Sequence, residues 1–229
     1  MTAFANGATR HPRVRASERV AERSVAVPPT AGHATRLGSA RSPPRPSPPV
    51  KFTETPLPGA WLVEPEPRED DRGSFARLWC EDEFRAHGLP TTIRQINESV
   101  NREVGTVRGM HWQAAPHAET KLVRCTRGRV FDVVVDLREG SPTRHRWHAA
   151  ELSGEDGAAL FVPEGFAHGY QVLEPDSTLV YLMGASYAPE AGRGFRFDDP
   201  AIGIEWPLEL DPRLSARDAA WPGLGSEPG

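Results

Sequence analysis

The run "VFDVVVDLR", from Val130 to Arg138, constrains the fold more than any other stretch of the chain. A period of two along it places Phe131, Val133, Val135 and Leu137 on one face and Asp132, Val134 and Asp136 on the other. This reads as a strand with an apolar core face and an acid-bearing face. Neighbouring runs are of the same kind. "KLVRC" leads through "TRG" into this strand, and "ALFVPEGFAHGYQVL" leads through "EPDS" into "TLVYLMGASY", a pattern expected to give two hairpins. Helical character is confined to "CEDEFRAHG", with Gly88 as its stop. Short strands at this spacing, with no internal repeat, imply an all-β sandwich or barrel. A jelly-roll barrel both protects its edges and encloses a pocket, and is the expected architecture.

The organisation has two parts. Residues 1–50 are rich in Pro, Arg, Ala and Ser, carry acids only at Glu18 and Glu22, and end in "SARSPPRPSPPV", which supports neither helix nor strand. A disordered extension is expected there; an acid-poor, Arg-rich organelle transit peptide is the alternative. The folded domain is expected over 51–229. A net charge of -4 argues against nucleic acid or an anionic membrane as a partner. No apolar run reaches the ~20 residues needed to span a bilayer, and no secretory core opens the chain. Two cysteines, Cys80 and Cys125, are too few for a disulfide framework or a thiolate metal site. A cytoplasmic protein is expected.

Lysine usage marks one position. Of 27 Lys and Arg residues, only Lys51 and Lys121 are lysine. Were Thr126 and Arg127 the loop of a hairpin, Lys121 would fall opposite Asp132 on the acid-bearing face. A solvated cross-strand ion pair is the plain reading, worth at most about 1 kcal/mol. A lysine retained inside a strand also has a chemical reading: its compact ammonium offers three rotatable donors to a developing oxyanion, where arginine offers a rigid fork. Of the histidines, His33, His87, His117, His145 and His148 sit in polar or loop-like surroundings. His111, after "VRGM", and His168, in "PEGFAHGY", lie beside apolar residues and glycine, as core or as site residues.

Eight pieces in order, "DDRGSF" at Asp70, "QIN" at Gln95, "VRGMHWQ" at Val107, "KLVRC" at Lys121, "FDVVVDLR" at Phe131, "VPEGFAHGY" at Val162, "SYAPEAGRGFRFDDP" at Ser186 and "LSARD" at Leu214, together resemble the dTDP-4-dehydrorhamnose 3,5-epimerase family. The resemblance runs from about Thr53 to Asp218. It implies a cupin-type jelly roll, a homodimer, and inversion of the two carbons flanking the ketone of a nucleotide-linked 4-keto-6-deoxyhexose without metal or organic cofactor. By that resemblance His111 paired with Asp218 is the base, Lys121 stabilises the enolate, and Tyr181 is the acid on the opposite face. It assigns substrate contacts to Arg108, Gln95, Asn97, His168 and Tyr187, and to Arg72 and Phe75 of "DDRGSF", with Phe75 reaching across the dimer to the nucleotide base.

The chemistry calls for these residue types independently. Removing a proton beside a ketone needs a base tuned near neutrality and a positive group at the oxygen that becomes negative. Histidine with an aspartate on its other nitrogen suits the first role, lysine the second, and a buried phenol can return a proton from the far face. The chain departs from the family at Glu98, where histidine is common, at Glu119, where glutamine is common, and at Arg217, a frequent lysine. These changes bear on substrate identity and on whether one or both carbons invert. Two further readings remain: a metal-dependent cupin using His111, His117, Glu119 and His168, and a sugar-nucleotide-binding cupin without catalysis. Against the metal stands the spacing "WQAAP" between His111 and His117; against the binding module stands the complete acid, base and lysine set.

Overall fold

The computed structural model describes residues 49–208 and 212–224. The expected disordered arm, residues 1–50, lies outside the described residues except for its last two, and the first strand opens at Val50. The strands are β1 (Val50–Glu54), β2 (Trp61–Pro65), β3 (Arg68–Asp70), β4 (Gly73–Phe75), β5 (Gln95–Asn101), β6 (Val107–Gln113) and β7 (Lys121–Arg127). They continue as β8 (Arg129–Asp136), β9 (Trp147–Ser153), β10 (Ala159–Val162), β11 (Phe166–Val172), β12 (Ser177–Met183) and β13 (Gly192–Gly194). Helix α1 (Glu81–Ala86) follows β4 and ends before Gly88 as the sequence indicates, and a single turn, α2 (Ala216–Ala219), follows β13. No helix among the described residues is long and apolar enough to cross a membrane.

Two antiparallel sheets, β1-β2-β10-β7-β12-β5 and β13-β6-β11-β8-β9, make the jelly roll, and β3 with β4 forms a separate hairpin. Neither expected hairpin forms. β7 and β8 lie in different sheets, as do β11 and β12, so each connecting turn carries the chain across the barrel. Gly- and Asp-bearing turns serve a crossing as well as a hairpin, and the local pattern does not choose between them. Lys121 is therefore not the ladder partner of Asp132. It pairs with Val162 and Met183 within its own sheet, and Asp132 acts on it as a neighbouring charge from the facing sheet.

The alternation read on β8 is correct, but both of its faces are buried. Val130 and Val134 point between the sheets, packing with Val123, Leu160, Tyr170 and Leu179. Val133 and Val135 are covered from outside by Phe195 and Ile202, with Trp206 and Leu224 alongside. The acid-bearing face is thus the barrel interior, where Asp132 and Asp136 are fully buried. Asp136 is a structural acid. It accepts from Arg138 Nε at 2.9 Å, Ser141 Oγ at 2.5 Å and Thr143 Oγ1 at 2.7 Å. Burial would raise its pKa, but those hydrogen bonds outweigh it and hold the carboxyl well below its usual range.

One irregularity positions the site. Residues 108 and 111 are three apart and would face opposite sides of a regular strand. β6 pairs His111 with His168 and Arg108 with Tyr170, so it uses one residue more than β11 over the same span. This bulge turns both Arg108 and His111 inward. It requires glycine on both strands: Gly109 has φ +143°, a Cβ there would stand 2.6 Å from Gly169 Cα, and one on Gly169 would stand 2.6 Å from Met110 Sδ. Gly169→Ala is expected to destabilise the protein by about 1–3 kcal/mol through overpacking, measured as the change in unfolding free energy in urea.

Candidate active site

Residues of β5, β6, β7, β11 and β12, with Ser215 and α2 at one side, line an open cavity of about 430 Å³. An adjoining cleft of about 350 Å³ shares Asn97, His111, Met183 and Arg217 with it.

His111 is supplied by the bulged strand and Asp218 by α2, 107 residues later, and Nε2 meets Oδ1 at 2.5 Å. The imidazole is 38% exposed, open to a ligand, while Asp218 is buried. Burial would raise Asp218, but the hydrogen bond from His111 prevails and holds its carboxyl below the ordinary value. An ionised Asp218 fixes the Nε2–H tautomer, and Nδ1 carries the free lone pair. Ser215 caps α2 through Oγ to the Asp218 amide at 3.0 Å. The strand "GRG" admits this segment: a Cβ on Gly194 would stand 2.3 Å from the Trp221 ring, and one on Gly192 3.0 Å from an Arg217 nitrogen. Arg217 in turn lies over the Trp221 ring at 5.1 Å.

Lys121 is almost wholly buried, and its Nζ donates to the His111 carbonyl at 3.1 Å. The ion-pair partner within contact distance is Glu119, at 3.3 Å, in place of the expected Asp132. Burial pushes the ammonium below its usual range, and Glu119 and Asp132 oppose it. Asp132 is engaged elsewhere: its Oδ1 lies 2.8 Å from His168 Nε2, both side chains buried. Tyr181 packs edge-on to His168 with ring centroids 6.0 Å apart. Burial above all, with Tyr170 and Asp132 adding to it and Arg108 opposing, pushes its phenol well above the ordinary value. It therefore keeps its proton at neutral pH.

The set read as metal ligands is dispersed into separate pairs, with His111 on Asp218, His168 on Asp132, Glu119 on Lys121 and His117 3.8 Å from Glu190. Among the described residues no three His, Cys, Asp or Glu side chains are grouped to hold a metal.

The sequence model of one family, described as dTDP-4-dehydrorhamnose 3,5-epimerase, matches residues 54–226. The chain belongs to the dTDP-4-dehydrorhamnose 3,5-epimerase family. It is 48% identical over 163 residues to the dTDP-4-dehydrorhamnose 3,5-epimerase of Sinorhizobium fredii, covering 71% of this chain and 84% of that one. The crystal structure of the Elizabethkingia anophelis enzyme of the same name superposes with a TM-score of 0.75 at 38% identity, covering 77% of this chain and 97% of that one. ChmJ, a 3'-monoepimerase from Streptomyces bikiniensis in complex with dTDP-quinovose, superposes with a TM-score of 0.70 at 36% identity, covering 75% and 86%. The cupin-type jelly roll inferred from the motifs is the fold of this family's members.

Of the residues assigned by resemblance, His111, Lys121, Tyr181, Asp218, Arg108, Asn97 and His168 share the main cavity. Gln95 and Tyr187 line the adjoining cleft, where the Tyr187 amide donates to Gln95 Oε1 at 2.9 Å. Arg72 and Phe75 do not join them within this chain. They sit on the β3–β4 hairpin, 84% (side chain) and 67% exposed, with Arg72 paired to Asp70. Asn101 is a site residue that the sequence reading missed. Its Oδ1 accepts from Arg108 Nε at 2.8 Å and from the Tyr170 hydroxyl at 3.1 Å, fixing both. The signal was present: Gln95, Asn97, Ser99 and Asn101 put a polar side chain at every second position of β5. Arg193, on the wall of the cleft, was also missed.

Gly194→Ala is expected to lift the C-terminal segment from β13. Tryptic cleavage at Arg213 and Arg217 should accelerate by about tenfold or more through local opening, and the unfolding free energy in urea should fall by about 1–3 kcal/mol because the displaced segment is part of the outer packing.

Proposed function

We propose that this protein epimerises dTDP-4-keto-6-deoxyglucose at carbons 3 and 5, giving dTDP-4-dehydrorhamnose, with the chemistry carried by its own side chains. The observation that carries the reading is the meeting, in one cavity, of a carboxylate-oriented imidazole, a buried ammonium and a half-buried protonated phenol. Family membership supplies the substrate class.

In this mechanism His111 removes the proton beside the ketone through Nδ1, and Asp218 stabilises the imidazolium that forms. Negative charge then moves to the carbonyl oxygen, where Lys121 receives it. Tyr181 returns a proton from the opposite face, which inverts the carbon. Arg108, Arg193 and Arg217 along the two cavities offer planar donor forks suited to a diphosphate. Inversion of one carbon alone is the second reading. It is favoured by the ChmJ likeness and by Glu98, an exposed residue of β5 bordering the cavity, where the family commonly has histidine.

The assembly we propose is a homodimer in which Arg72 and Phe75 reach the partner's substrate. Exposed Phe75, Ile96 and Val100 on β4 and β5 supply apolar surface for it. Two unpaired cysteines suit a reducing cytoplasm, the compartment we assign.

Proton NMR of the substrate in deuterated water tests the reaction. Wild-type protein should introduce deuterium at carbons 3 and 5 with inversion at both; deuterium at one carbon would select the single epimerisation. In His111→Ala, exchange should fall by about 10³-fold or more, and wild-type exchange in a folded variant would refute the base assignment. In Tyr181→Phe, deuterium should still enter while inversion slows by about 10²-fold, because abstraction no longer leads to protonation from the far face. Dimerisation is read by light scattering, with Phe75→Ala expected to raise KM.

A further inference from the structure

The mechanism gives Glu119 no role, yet its side chain is 8% exposed and its Oε1 faces Lys121 Nζ at 3.3 Å. A buried carboxylate costs stability unless something compensates it, and the compensating group here is the lysine that meets the substrate oxygen. The ammonium has three protons. One is donated to the His111 carbonyl at 3.1 Å, and the Glu119 carboxylate holds the ammonium as an ion pair at 3.3 Å, which leaves donor capacity for the cavity that Lys121 lines. Lysine rotates freely about its long stem, so an anchoring carbonyl on one side and a carboxylate on the other restrict where the remaining donor can point.

The other nearby acid cannot substitute. Asp132, on β8, is held by His168 of β11 at 2.8 Å. The remaining charged or titratable groups on the cavity are Arg108 and His111 of β6, Glu98 of β5, and Arg217 and Asp218 of α2, with Tyr170 and Tyr181 of β11 and β12. Asp218 is committed to His111. Burial drives the ammonium toward its neutral form, and Glu119 is the strongest opposing influence.

We propose that Glu119 is a positioning residue for the reaction, holding the Lys121 ammonium charged and aimed at the substrate's carbonyl oxygen. The inference rests on the epimerase reading for its rate measurement, and it has a second readout that does not.

Lysine occurs only at positions 51 and 121, so protein labelled with carbon-13 lysine shows two side-chain signals. Lys51, exposed and paired with Glu64, is identified by Lys51→Arg, which leaves Lys121 as the single signal. In Glu119→Gln the Lys121 titration should move down by about one pH unit or more, since the group favouring its charged form is gone. The alkaline limb of kcat/KM for proton exchange should move down with it, while KM changes by less than about threefold. Glu119→Asp keeps the charge at longer reach and should move both by less; it also serves if the glutamine variant does not fold.

An unmoved Lys121 titration in Glu119→Gln overturns the proposal, as does a moved titration that the rate profile fails to follow. If wild-type protein exchanges no substrate protons, the epimerase reading fails, and the lysine titration alone still decides whether Glu119 keeps Lys121 charged.

Discussion

The close backbone approach of β6 and β11 at Gly109 and Gly169 is the constraint on which the rest of the site depends. A regular ladder there would send Arg108 and His111 to opposite faces, leaving the cavity without either its guanidinium or its imidazole. The bulge resolves this by local over-twisting, and it is possible only where neither strand carries a Cβ at the crossing. With His111 turned inward, the other components meet it from unrelated parts of the chain. Its carbonyl takes a proton of Lys121, its ring takes Asp218, and its ladder partner is His168.

The C-terminal segment makes the second half of the arrangement. Asp218 reaches His111 because β13 is "GRG", whose missing side chains admit Trp221 and Arg217 against the sheet. The same segment adds Leu224 to the outer cover of β8, β6 and β11, beside Phe195 and Ile202. Packing of the outer core and completion of the base therefore share this segment. A chain that has not docked this segment has a barrel but no oriented histidine.

The strand content, the α1 stop, the alternation on β8 and most of the cavity-lining residues were legible in the sequence, because each rests on local pattern or on a motif whose parts keep their spacing. Strand pairing was not legible. "TRG" and "EPDS" mark turns, but whether a turn folds a strand back on its neighbour or sends it to the opposite sheet depends on contacts far away in sequence. That one ambiguity produced both mistaken hairpins and the mistaken pairing of Lys121 with Asp132. The bulge was hidden for a similar reason, since Gly109 can be read as a turn, a flexible point or a close approach until Gly169 is seen against it. Asn101 is the last member of a visible alternation, but its role depends on Arg108 and Tyr170, partners that β5 alone does not reveal.

The two acids of β8 show why the cavity's charges are there at all. Asp136 is saturated by donors at one end of the strand and stabilises the turn that follows. Asp132, four residues earlier on the same face, has one oxygen on His168 and the other buried with no hydrogen-bond partner among the described residues. Burying ion pairs is seldom better for stability than packing apolar side chains in the same volume, and an unpartnered carboxylate oxygen is worse. The central core shows that this barrel can fill its interior with Val, Leu and Phe. Stability alone would extend that packing through positions 119, 121, 132 and 168. Retaining a lysine and a histidine there, each paired with an acid, makes physical sense where a ligand meets Lys121 and His168 in the cavity, supplying negative charge for the ammonium and displacing the water that would otherwise screen it.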